Sequence, residues 1–113
     1  MEQRFRPAFY KQVGESVIPI SWVEAQPLLA DYRNRALACD TCPSRHRVST
    51  SFLVFDHSYF GPKPVLYNTI VTEPSGAERI AGRYSTRAEA EQGHQEVLAL
   101  VSLVAASGLE PPT

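Results

Sequence analysis

Apolar and polar positions change period twice along this chain, and the changes predict its elements. Residues 8–13 (AFYKQV) and 16–20 (SVIPI) are short, β-prone runs separated by a Gly14-Glu15 turn. Pro19 marks the second as an edge strand. Ser21-x-x-Glu24 is a capping box and opens a helix. Its apolar anchors are Trp22, Leu28, Leu29 and Tyr32; a kink or break is expected near Pro27 and an end near Asn34. Arg35–Asp40 and Arg47–Phe55 follow as strands. In the second, Val48, Thr50, Phe52 and Val54 share one face and Ser51, Leu53 and Phe55 the other. Both faces are apolar toward its end, which places it centrally in a sheet. Val65–Thr72 and Arg79–Tyr84 are two more strands, joined by a Pro74-Ser75-Gly76 turn.

The period then lengthens. Thr86-x-x-Glu89 is a second capping box, and Ala90, His94, Val97, Val101, Val104 and Ala105 recur at helical spacing. Gly108 is the expected C-cap, followed by Pro111-Pro112. The pattern predicts an α+β domain over residues 8–108, with an arm at 1–7 and a tail at 109–113. An antiparallel sheet of about four to five strands packs against the long C-terminal helix, with a short helix near the N-terminus. Leu98, Leu100 and Leu103 widen the apolar stripe of the long helix beyond what one sheet requires. Either the N-terminal segment folds over them or they form a homodimer interface.

Composition narrows the class. The 113 residues suit one domain, and 43% hydrophobic with 20% charged residues suits a globular one. Eleven Lys and Arg oppose twelve Asp and Glu, so no global field draws the chain to nucleic acid, and a nucleic-acid partner is not expected. The longest nearly apolar run, Val97 to Ala106, is about half of what a bilayer span needs, and no membrane partner is expected. The N-terminus lacks a signal-peptide pattern. The expected location is the cytoplasm, with Cys39 and Cys42 reduced.

Four groups of residues could carry chemistry. Cys39-x2-Cys42 with His46 has a metal-ligating or redox spacing, but falls short of the four ligands of a structural zinc. Two ordinary cysteines at a hairpin end are the simpler reading. Asp56, His57 and His94 could pair as base and orienter, against the simpler reading of a strand end and a hydrogen-bonded core histidine. Arg33, Arg35, Arg45 and Arg47, with His46, form the one basic cluster, suited to a carboxylate or phosphate or to simple solvation beside Asp31 and Asp40. Gly61-Pro62-Lys63-Pro64 is a rigid loop edge rather than a phosphate loop, and with Tyr59, Phe60 and Lys63 it is a candidate contact surface. No cofactor motif is present, and no catalytic residue is assigned.

The run Val48-Ser49-Thr50-Ser51-Phe52-Leu53-Val54-Phe55-Asp56-His57 is followed by Gly61-Pro62 and Val65-Leu66-Tyr67-Asn68-Thr69-Ile70-Val71. Arg83-Tyr84-Ser85-Thr86, Glu89-Ala90 and Gly93-His94 come next. Over roughly residues 48–98 this resembles a family of small uncharacterised bacteriophage and prophage proteins. That family's pattern is V-S-T-x-F-L-G-L-D-H, then G-P-P, L-F-E-T-M-V-F and R-Y-x-T-x-x-E-A-x-x-G-H. This chain has Val54-Phe55 for Gly-Leu, Asn68 for Glu, and Pro64 after Lys63 instead of a second adjacent proline. The resemblance implies a context, a phage accessory gene expressed in a bacterial host's cytoplasm, and leaves the cysteine pair outside it. The expectation is a non-enzymatic, homodimeric protein that binds a host or anti-phage defence protein, or sequesters an anionic small molecule such as a nucleotide. A small enzyme or metal-binding protein and a phage structural or assembly component are the alternatives.

Overall fold

The computed structural model describes residues 6–58 and 61–107, with side chains as far as Val104. Strands β1 (Phe9–Val13) and β2 (Ser16–Ile20) form a hairpin whose turn uses Gly14 at φ 61°. Helix α1 (Trp22–Ala30) begins where the capping box puts it: the Glu24 amide donates to Ser21 Oγ at 3.2 Å, and the Ser21 amide to Glu24 Oε1 at 3.1 Å. The helix runs through Pro27 and breaks instead at Asp31. There the amide turns back to the Leu28 carbonyl at 3.2 Å, and the side chain caps the single turn α2 (Tyr32–Arg35). The expected break at Pro27 is thus displaced. A helix nine residues long loses one internal bond to the proline and keeps the rest.

Strands β3 (Ala36–Thr41), β4 (Arg47–Phe52), β5 (Tyr67–Thr72) and β6 (Glu78–Tyr84) make an antiparallel meander in the order β3-β4-β5-β6, closed by α3 (Arg87–Ser107) lying across one face. The α+β architecture is therefore the one the pattern predicts. β4 is central, and the Pro74-Ser75-Gly76 turn is held by the Gly76 amide on the Glu73 carbonyl at 2.8 Å. Thr86 and Glu89 cap α3 reciprocally, at 3.2 Å and 3.1 Å. Gly108 and residues 109–113 lie outside the described residues.

β4 stops at Phe52 rather than at Phe55. Val54 adopts φ 67°, a left-handed conformation that a β-branched residue resists. Three features hold it there. Its side chain is fully buried, its carbonyl accepts the Tyr10 amide at 2.8 Å, and the Leu53 amide donates to the Leu66 carbonyl at 2.7 Å. The chain turns a corner at this residue, and Phe55 leaves the large sheet to bridge Phe9 on the small hairpin. The core lies around this corner: Tyr10, Ala25, Phe52, Val54, Leu66, Tyr67 and Ala90 are all buried.

Arg6 belongs to the folded structure, although residues 1–7 read as an arm. Its Nε lies 2.9 Å from Asp56 Oδ2, Nη1 donates to the Gly61 carbonyl at 2.8 Å, and Nη2 donates to Ser58 Oγ.

Helix α3 seats Ala90, Gly93 and His94 on the sheet, with Val97, Val101 and Val104 half-buried. Gly93 is required by contact. A Cβ there would sit 2.2 Å from the Tyr84 hydroxyl, and one at Gly82 would sit 2.1 Å from it, so the tyrosine ring fills the space both glycines leave. Leu98 is half-buried, whereas Leu100 and Leu103 are 61% and 67% exposed. The described part of the N-terminal segment does not cover them. Among the described residues no helix is long and apolar enough to cross a membrane.

Candidate functional site

The four-stranded sheet sorts its side chains by alternation. Asp40, Thr50 and Thr69 point toward α3, while their neighbours Cys39, Ser49, Ser51 and Ile70 point the other way. The two faces form the two candidate sites.

On the open face, Cys39, Ser49 and Ile70 form one cross-strand row and Arg47 pairs with Thr72 in the next. Helix α2 overhangs this face with Tyr32 and Arg33. Together they border a shallow concavity of about 480 Å³ whose far edge is Glu78. Arg33 and Arg47 both line the concavity, and neither forms an ion pair among the described residues.

The basic cluster is divided by the fold. Arg35 turns inward, donating Nη1 to the Phe52 carbonyl at 3.1 Å and Nη2 to the Leu29 carbonyl at 3.3 Å, with its buried Nε lacking a partner among the described residues. Its guanidinium lies 5.2 Å from the Tyr32 ring centre. Arg35 therefore ties α1 to the end of β4 and is not available to a ligand. Arg45 occupies the β3–β4 turn at φ 74°, away from the concavity lining. The sequence placed four arginines at one surface; the structure brings Arg33 and Arg47 together there.

On the covered face, His94 is 1% exposed and both its ring nitrogens are engaged. Nε2 lies 2.7 Å from Asp40 Oδ2, and Nδ1 lies 2.7 Å from Thr50 Oγ1. Thr50 and Thr69 are cross-strand partners with their hydroxyls 2.5 Å apart, and the Tyr84 hydroxyl donates to Thr69 at 3.1 Å. His94 thus joins Asp40 rather than Asp56 or His57. Sequence reasoning missed Asp40, Thr50, Thr69 and Tyr84 as its partners. One signal was present: Thr50 is a polar residue in the otherwise apolar row Val48, Phe52, Val54, and an inward hydroxyl needs a partner.

Asp56 is a loop organiser. Its Oδ1 accepts the amides of Ser58 at 2.8 Å and Val65 at 2.9 Å, and its Oδ2 faces Arg6. Burial pushes its carboxyl up, but the two amides, the Ser58 hydroxyl and the Arg6 guanidinium outweigh burial and hold it below the usual range. His57 points elsewhere, with its ring edge-on to Phe55 at 5.4 Å. Burial lowers its pKa and Arg83 lowers it further, against Asp56. The Asp56, His57 and His94 side chains are thereby engaged in three separate settings.

The two cysteines serve different faces. Cys39 is exposed on the open side; Cys42 is buried, with Sγ 3.6 Å from Ser102 Oγ on α3. His46 is also buried and pairs Nδ1 with Ser44 Oγ at 2.9 Å. Among the described residues no three His, Cys, Asp or Glu side chains are grouped to hold a metal. Lys63 is exposed in its loop, and Tyr59 and Phe60 lie outside the described residues.

No family model matches the chain, and neither the curated proteins nor the solved structures include a match.

Proposed function

We propose that this chain is a non-enzymatic binding protein of the phage accessory kind its sequence resembles. It takes up an anionic small molecule on the open face of its sheet, in the cytoplasm of a bacterial host. Sequestering that molecule neutralises the host or defence component that depends on it. The observation that supports this reading is the concavity bordered by Arg33 and Arg47. Two guanidinium groups can each give paired N–H donors to a phosphate or carboxylate. Ser49 and Ser51 add hydroxyls, and Ile70 offers an apolar floor to the uncharged part of a ligand, while the Thr72 hydroxyl is turned to Glu78. The resting state is a homodimer through α3, a reading supported by the exposure of Leu100 and Leu103.

Native mass spectrometry of the protein purified from bacterial cells, followed by calorimetric titration with adenosine monophosphate, tests this. The expected result is a dimer that retains a nucleotide-sized mass and binds the probe. In the Arg33→Glu/Arg47→Glu variant binding falls at least about a hundredfold, consistent with loss of two charge-assisted contacts, while the melting temperature is unchanged. Equal binding by the charge-reversed and original proteins overturns the assignment.

A further inference from the structure

All four strands of the larger sheet and α3 each give one side chain to a single hydrogen-bonded row. It runs Tyr84 (β6), Thr69 (β5), Thr50 (β4), His94 (α3), Asp40 (β3), edge to edge beneath the helix. Its middle is dry: Thr50 and Thr69 are fully buried. Its Asp40 end is 49% exposed.

Proton counting fixes the direction of the row. An ionised carboxylate only accepts, so His94 Nε2 carries hydrogen. In the neutral ring Nδ1 is then bare and accepts from Thr50. The single hydroxyl hydrogen of Thr50 is committed there, so Thr69 must donate to Thr50, and Tyr84 donates to Thr69. Every donor is used once and all point toward Asp40. If His94 takes a proton from solvent, its Nδ1–H must donate to Thr50. Thr50 then donates to Thr69, whose oxygen can accept from Thr50 and from the Tyr84 hydroxyl at once.

We propose that this row is a proton-responsive relay in which the protonation state of His94 sets the direction of the Thr50–Thr69 hydrogen bond. The titratable groups joined to His94 are Asp40 from β3 and, through the hydroxyls, Tyr84 from β6; β4 and β5 contribute only threonines. On α3, Glu91 is exposed and paired with Arg87 at 2.9 Å, and the buried Tyr67 of β5 shares the covered face with Thr69. The relay is independent of the ligand reading, since its residues face away from the concavity.

Ring nitrogen NMR of the full chain, uniformly 15N-labelled, reads the state directly. Above the titration the expected tautomer has hydrogen on Nε2 and none on Nδ1; the opposite tautomer overturns the relay without any variant. Thr69→Val supplies the second arm. The neutral direction survives in it, because Thr50 still donates to His94, whereas the protonated direction leaves the Thr50 hydroxyl buried without an acceptor. The midpoint of the His94 titration should fall by about one to two pH units, and Thr69→Ser should restore it. A midpoint that does not move in a folded Thr69→Val protein overturns the proposal. A merely structural threonine would change the melting temperature in both variants and leave the midpoint in place.

Discussion

The two faces of the four-stranded sheet are built from the same strands, residue by residue in alternation, and are physically opposite. On the covered face Asp40, His94, Thr50 and Thr69 are bonded to one another, and Gly93 of the helix has no room for a side chain. On the open face the polar groups belong to a shallow concavity, and Arg33 and Arg47 there form no ion pair among the described residues. One face is committed to holding the helix; the other has chemistry to spare for something outside the chain. A one-residue slip of β4 would exchange the two roles, which is why the inward threonine pair and the outward serines also specify the register.

Substitutions can break this contrast, the largest effect being at the helix. Gly93→Val drives two methyl groups into the Tyr84 ring and should cost about 3 kcal/mol or more, or abolish folding, in a denaturant titration. Acid tests the corner next. Asp56 is held below its ordinary range in the folded state, so its contribution to stability is complete above the unfolded carboxyl pKa. That contribution declines as pH falls through the folded value. In Asp56→Asn the melting temperature at neutral pH should be lower, and its loss between about pH 5 and pH 2 shallower than in the original protein. A parallel pair of pH curves would mean that other carboxylates set the acid limit. The smallest effect is expected across the sheet. Ser49→Ala with Ser51→Ala should move stability by about 0.5 kcal/mol or less. A loss much above that would show the open face to be structural after all.

How much of this was legible in the sequence follows from the range of each interaction. The two capping boxes involve residues three apart, and both helices begin where Ser21 and Thr86 say they should. The central place of β4 was read from apolar residues on both faces toward its end, although the structure ends the strand at Phe52 and puts Leu53, Val54 and Phe55 in the corner beyond it. What failed was non-local. Asp40 and His94 are fifty-four positions apart, and nothing in the spacing indicates that helix and edge strand meet there, whereas Asp56-His57 looked like a pair because it is adjacent. Adjacency misled at the arginines too. Arg33 and Arg35 differ by two positions, yet Arg35 is drawn inward by the Phe52 and Leu29 carbonyls that the end of β4 and α1 leave available. The departure at Val54 was invisible because valine is a strand residue by every local criterion. Only the surrounding bonds hold it in the left-handed region.

The Val54 corner also insulates one part of the molecule from errors in the other. The hairpin's register is set by its own pairing, and Phe9 on Phe55 and Tyr10 on Val54 dock it at the corner beyond the end of β4. Lengthening β1 and β2 by a matched pair of residues at the Gly14 turn would leave the meander untouched. The hairpin is nonetheless tied to the sheet, by Tyr10 in the shared core and by the Tyr67 hydroxyl, which donates to Gln12 Oε1 at 3.1 Å.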